Sequence, residues 1–239
     1  MLKFIGSGSA FNTKLGNNSA YYKEGNQMLL IDCGSNVFQR IKESNLLDGI
    51  EHIHVAITHT HADHVGSLAD LILYTYYSHG DFAKPKVTAY FSENVEVNNL
   101  LRINGCELNK TYYSKHIEES SMLDIMDNVS ISFNKTKHVE EIPCYGMELK
   151  INNEYVFYSS DTNGIDDIIL ELIEEDIWKF FYIDTCKADY EGNVHLSLRK
   201  LNELIPEFYR EKVWCMHLDE GFVREEAESL GFNVVRNEF

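Results

Sequence analysis

Thr58-His59-Thr60-His61-Ala62-Asp63-His64 follows the apolar run Ile53 to Ile57 and leads into a helix-like stretch, Val65 to Tyr77. A polar string in that position belongs at the carboxyl end of a strand, where the chain turns into a helix. His supplies only 10 of the 239 residues, so about one shuffled chain in a thousand would carry His-x-His-x-Asp-His. A solvated loop is the competing reading, and the rarity of the pattern weighs against it.

In an extended segment, residues i and i+2 point to the same side, so His59 and His61 can offer nitrogens to one cation. Asp63 and His64 fall where the chain bends. The bend turns them towards a second cation, about 3.5 to 4 Å from the first in two-metal hydrolases. Imidazole and carboxylate donors suit Zn²⁺ first and admit Mn²⁺, Fe²⁺ or Co²⁺.

Outward from this string the chain mixes short strands and helices. Strands are expected at Leu2 to Ile5, Ser19 to Lys23, Gln27 to Ile31 and Ile53 to Ile57. A second set falls at Val129 to Phe133, Met147 to Ile151, Tyr155 to Tyr158, Phe180 to Ile183 and Val213 to Met216. Helices are expected at Val37 to Glu43, Val65 to Tyr77, Glu93 to Ile103, Ile165 to Glu174 and Leu196 to Phe208. With three prolines and no Gly/Ser linker or repeat, nothing marks a boundary, so a single domain over residues 1–239 is expected. Two comparable halves of strands and helices read as mixed α and β; the sharper expectation, an αββα sandwich of two mixed sheets face to face with helices on both outer faces, leans on the string above.

Composition narrows the function. The net charge is −17, which argues against partners bound by neutralising phosphates, such as long nucleic acid or an anionic membrane. A small anion in a cation-lined pocket remains compatible, because a site's field need not follow the net charge. Five scattered cysteines, Cys33, Cys106, Cys144, Cys186 and Cys215, contain no Cys-x-x-Cys pair and read as core thiols in a reducing compartment. The first residues lack the apolar run of a signal peptide, and no segment reaches the length of a membrane span. A cytoplasmic protein is therefore expected.

The string and its setting resemble the metallo-β-lactamase superfamily, whose αββα fold completes a dinuclear site with three later residues. The resemblance implies His138, after the strand ending at Phe133, as the third imidazole of the first cation. It implies Asp161 in Tyr158-Ser159-Ser160-Asp161 as the carboxylate bridging both, and His217 at the end of Val213 to Met216 as the last donor of the second. An Asp rather than a Cys at position 161 resembles the ribonuclease Z-like phosphodiesterase branch. There Val194-His195-Leu196-Ser197 matches a His-x-Ser/Thr motif whose His protonates the leaving group. Asp184 stands where that branch has an acidic motif and would orient His195, although the neighbouring His and Glu of the ribonuclease motif are absent. Asp63 would hold the attacking water as well as a cation. Asp32 is expected to brace the loops by hydrogen bonds, and His52, His54, His79 and His116 to be surface or satisfied core residues.

Only 23 positions separate His138 from Asp161 (161 − 138), too few for the flexible arm with which ribonuclease Z enzymes grip tRNA. The short, acidic pattern looks most like the anti-Pycsar cyclic-nucleotide phosphodiesterases of phages and bacteria. That resemblance implies hydrolysis of cyclic mononucleotides such as cCMP and cUMP, and a homodimer formed through the helix after the His string. Tyr112 and Tyr113, in the aromatic-rich insertion after that helix, are candidate base-stacking residues, one of which would reach the neighbour's pocket in such a dimer, with core or interface packing as the competing reading. A tRNA 3′ endonuclease, or a hydrolase of lactones or thioesters, is the alternative.

Overall fold

The first sheet contains β1 (Lys3–Gly6), β2 (Ser19–Glu24), β3 (Gln27–Ile31), β4 (His52–Ala56), β5 (Val87–Ser92) and β6 (Tyr113–Ile117), side by side in that order. The second runs β13-β12-β11-β10-β9-β8-β7. Its members are β7 (Leu123–Met126), β8 (Val129–Lys135), β9 (Tyr145–Ile151), β10 (Glu154–Tyr158), β11 (Trp178–Asp184), β12 (Val213–Met216) and β13 (Asn233–Val234). Each sheet starts as an antiparallel meander and continues in parallel. The computed structural model describes residues 1–239.

Local chemistry explains the hairpins. Gly25 takes φ 57° at the first position of the Gly25-Asn26 turn, and Asn152 and Asn153 take φ 50° and 67° between β9 and β10. Two-residue hairpins need such positive values to match strand twist, and glycine and asparagine tolerate them best.

The sandwich core follows from strand alternation. Along β10, β11 and β12, Val156, Tyr158, Tyr182 and Met216 join the large core shared with the first sheet, whereas Phe157, Phe181, Ile183, Val213 and Cys215 join a smaller outer core. Side chains alternate faces along a strand, so strands covered on both sides carry apolar residues at nearly every position. The outer core is completed by α5 (Asp167–Leu172), α6 (Leu198–Leu204) and α7 (Arg224–Ser229). Residues of α1 (Val37–Glu43), α3 (Leu68–Tyr77) and α4 (Val97–Ile103) belong to the larger core. This is the αββα arrangement. No helix is long and apolar enough to cross a membrane.

The differences from expectation are local. The helix expected over Val65 to Tyr77 is split into α2 (Ala62–Val65) and α3, because the Ser67 hydroxyl donates to Gly34 O and accepts from Phe38 N, pinning Ser67 to the β3–α1 loop. Pro206 ends α6, and a 3₁₀ turn over Glu207–Lys212 takes the rest of the expected helix. Strands β5, β6, β7 and β13 were not anticipated: β5 is buried at all six positions and shows no alternation, and β6 is a polar edge strand.

His54 lies at the far end of β4 and is 6% exposed. As a neutral imidazole it can donate from Nε2 to Gln27 Oε1 (2.8 Å) and accept at Nδ1 from the Tyr90 hydroxyl (3.0 Å). Burial, with His52 and Lys115 nearby, pushes its pKa down to about 4. The unfolded chain therefore binds this proton first as pH falls, and stability is lost between about pH 6.5 and 4. Relative to a His54→Gln variant, the wild type should lose about 2 to 3 kcal/mol more on going from pH 7 to pH 4. Denaturant unfolding of both proteins across that range measures it, and parallel curves would refute the assignment.

Candidate dinuclear metal centre

Strands of both sheets deliver their carboxyl ends to one edge of the sandwich. Asp32 follows β3, His59 lies just beyond β4, His138 beyond β8, Asp161 beyond β10 and His217 directly after β12, while Asp184 is the last residue of β11. Three of these ends carry non-glycine residues in the left-handed region: Asp32 at φ 59°, Ser160 at 54° and His217 at 55°. Such conformations cost about 1 to 3 kcal/mol each and persist where surrounding contacts enforce them. At His217 the N–H donates to Asn18 Oδ1, and the Asn18 amide donates to Tyr158 Oη. Gly34 is required beside them, since a Cβ there would lie 1.9 Å from Asp63 O.

Donors converge in three overlapping groups, the third being Asp161, Asp184, His195 and His217. His59, His61, His138 and Asp161 each offer an atom within 4.8 Å of the others, and so do Asp63, His64, Asp161 and His217. In the first group His59 Nε2 lies 3.1 Å from His61 Nδ1, and His138 Nε2 lies 3.4 Å from the same Nδ1. Asp161 Oδ2 is 3.8 Å from His59 Nε2 and 3.6 Å from His138 Nε2. In the second group Asp161 Oδ1 is 3.3 Å from His64 Nε2 and 3.4 Å from His217 Nε2, and both imidazoles are 3.3 Å from Asp63 Oδ2. One carboxylate thus faces both groups, one oxygen each.

Polar partners behind the imidazoles set which nitrogen faces inward. Asp32 Oδ2 accepts from His64 Nδ1 (2.8 Å) and from the Thr58 hydroxyl (2.9 Å), while Oδ1 accepts from Thr58 N (2.9 Å). His138 Nδ1 donates to Val194 O (3.1 Å), and His217 Nδ1 lies 3.4 Å from Asp184 Oδ1. Each of these His residues is left with Nε2 for a ligand, the usual arrangement behind metal-bound imidazoles. His61, at the entry of α2, presents Nδ1 instead.

The donor set suits cations. His64 Nε2 and Asp161 Oδ1 are fully buried and face each other at 3.3 Å as an ion pair without a well-directed hydrogen bond. Buried polar atoms so poorly paired are costly, a cost that a shared cation would relieve. Charge points the same way. Although burial opposes ionisation, His217, His64 and His59 together hold the Asp161 carboxyl well below its usual range. Asp161 and Asp184 push His217 up to about 10 against the effect of burial, and His64 is likewise raised by Asp161, Asp63 and Asp32. Entering cations would displace these protons and take over their role.

His195 stands beside both groups. Its Nδ1 lies 2.7 Å from Asp184 Oδ2, which also accepts from Thr162 N (2.9 Å). Burial lowers the imidazole's basicity, but the Asp184 charge and hydrogen bond outweigh it and the pKa is raised. His195 stacks on His217 at 4.9 Å, and its side chain remains 26% exposed. It lines a cavity of about 560 Å³ together with His61, Asp63, His138, Asp161 and Phe11.

Every metal-donor residue expected from the sequence lies in these clusters, and Asp184 and His195 adjoin them. Tyr112 and Tyr113 do not line the cavity of their own chain: Tyr112 is buried with its hydroxyl donating to Asn98 Oδ1, and Tyr113 is exposed at the start of β6. Sequence reasoning missed Asn18 and Phe11, which sit in the β1–β2 loop outside any motif.

The sequence profile of the anti-Pycsar protein Apyc1 family matches residues 1–238. The chain belongs to that family. The anti-Pycsar protein Apyc1 of Bacillus phage BSP38 is 31% identical over 236 residues, covering 90% of this chain and 88% of the relative. Among solved structures, the metallo-β-lactamase fold protein YhfI of Bacillus subtilis superposes with a TM-score of 0.74 at 19% identity, covering 100% and 96% of the two chains. The short form of human tRNase Z superposes with a TM-score of 0.73 at 15% identity, covering 100% and 97%. The fold is that of the metallo-β-lactamases.

Proposed function

We propose that this Apyc1 family member hydrolyses 3′,5′-cyclic mononucleotides such as cCMP and cUMP to linear monophosphates, countering Pycsar signalling in the host cytoplasm. The observation that carries the chemistry is the 2.7 Å contact between His195 Nδ1 and Asp184 Oδ2 beside two cation-fitting clusters. The family of the chain carries the substrate class. In this reading His59, His61, His138 and Asp161 hold one cation, and Asp63, His64, Asp161 and His217 the other, with Zn²⁺ first and Mn²⁺ second. When bound, the cations supply Lewis acidity to the phosphoryl oxygens and make water acidic enough to attack near neutral pH.

The chain's own groups handle orientation and protons. Asp63 accepts a hydrogen bond from the attacking water. Asp184 fixes the His195 ring through Nδ1–H, leaving Nε2–H to protonate the ribose oxygen as its bond to phosphorus breaks, a step contributing about 10² to 10⁴ in rate. A cavity of about 560 Å³ lies within the range of small-molecule sites. The stretch between His138 and Asp161 is filled by the β9–β10 hairpin, which leaves no arm for tRNA. We extend the same reading to one domain over residues 1–239 and to a homodimer joined near Val65 to Tyr77, in which the exposed Tyr113 is free to reach a neighbour's cavity and Tyr112 supports it from beneath.

Chromatographic product analysis of Zn- or Mn-loaded protein with cyclic mononucleotides, cyclic dinucleotides, bis-p-nitrophenyl phosphate and a tRNA precursor tests the proposal. Linear monophosphates should appear from cyclic mononucleotides and vanish in Asp63→Ala and His195→Ala. Cleavage of the tRNA precursor alone would overturn it in favour of the ribonuclease reading.

A further inference from the structure

The loop between β1 and β2 holds Phe11 86% exposed, more than any other large apolar side chain in the molecule. Phe11 nevertheless lines the cavity that contains His61, Asp63, His138, Asp161 and His195. Its backbone is tied down on both sides. Ser9 N and the Asn12 amide both donate to Leu218 O at 3.0 Å, Leu218 N donates to Ser7 O at 2.9 Å, and Gly16 N donates to Asn12 O at 3.0 Å. Leu218 directly follows the donor His217, so the loop is anchored to the metal centre itself. An aromatic ring is thereby carried on a fixed backbone at the cavity and left without protein to cover it.

The rest of the lining suits a planar, apolar group. Val139 and Val194 add apolar surface. Part of the polar lining is already engaged: Asn17 and Asn36 exchange hydrogen bonds between side-chain oxygens and backbone N–H groups, and the Ser35 hydroxyl donates to Ala62 O. The Thr13 hydroxyl and the Asn36 side-chain amide are left for polar contacts, and the Phe11 ring offers a base a face to stack on. We propose that Phe11, supplied by the same chain that supplies the cations' donors, is the stacking platform for the substrate's base and sets the preference for nucleotides over base-free diesters. The inference rests on the cyclic-nucleotide reading above.

Aromatic–base stacking changes affinity by roughly 5- to 150-fold on alanine substitution. The test compares kcat/KM for cCMP with that for methyl β-ribofuranoside 3′,5′-cyclic phosphate, which keeps the reacting ring and has a methyl group where the base would be. In Phe11→Ala the ratio of the two should fall about tenfold or more, chiefly through KM for cCMP, and Phe11→Tyr should restore it. An unchanged ratio in Phe11→Ala, with wild type cleaving cCMP normally, overturns the stacking role and leaves the functional reading intact. Failure of wild type to cleave cCMP overturns that reading and this inference with it.

Discussion

With the proposed two-cation site, substituting Asp161 by Ala is expected to cost the protein both cations and to lower kcat/KM for cyclic nucleotides by about 10³-fold or more. The size follows from geometry. Asp161 Oδ1 lies 3.3 to 3.4 Å from His64 and His217, and Oδ2 lies 3.6 to 3.8 Å from His138 and His59, so no other side chain serves both groups. Losing several kcal/mol of charge stabilisation at 1.36 kcal/mol per tenfold gives the estimate. The fold should survive, because the bonds from Thr136 and Cys144 end on the Asp161 backbone oxygen, which alanine keeps. Metal analysis should read well under one ion per chain, with an unchanged circular dichroism spectrum. Retention of one full equivalent would show that the two groups are independent and that Asp161 does not bridge them.

Replacing His195 by Ala has the second largest expected effect, and it depends on the leaving group. For cyclic nucleotides the departing ribose oxygen needs a proton, and kcat should fall by about 10² to 10⁴. For bis-p-nitrophenyl phosphate, whose nitrophenolate leaves unprotonated, the fall should stay within about threefold. Asp184→Asn should fall between wild type and His195→Ala on cyclic nucleotides, since the carboxylate holds the ring at 2.7 Å without touching the substrate. Equal losses on both diesters would mean that His195 supports the metal centre rather than donating a proton. No loss on either would show that His195 takes no part in phosphodiester hydrolysis.

The contrast between these residues shows how far the sequence reaches. His59, His61, Asp63 and His64 were legible because four donors fall within six positions, and alternation along an extended segment followed by a helix entry predicts their split into two groups. His138, Asp161 and His217 stand alone in their segments, and only the resemblance to a known fold picked them out. Asp32, expected to brace the loops, bonds Thr58 and His64. By contrast β5, buried on both faces, carried no alternation to read, and the break between α2 and α3 came from Ser67 bonding to a loop more than thirty positions away.

What the sequence determined by itself is the chemistry available: a cation-binding string at a strand end, an acidic chain unsuited to long polyanions, and strand and helix periods of a mixed α and β chain. What only the tertiary structure decided is direction. The nitrogen that each imidazole turns inward depends on acceptors far along the chain, Asp32 for His64 and Val194 O for His138. The sharing of the Asp161 oxygens between two clusters depends on both sheets ending at one edge, and the exposure of Phe11 depends on its loop folding back onto Leu218. Spacing along a chain specifies which side chains share a face within one element. Contacts between elements are made only when their burial offsets the entropy of ordering them, and that balance belongs to the whole fold.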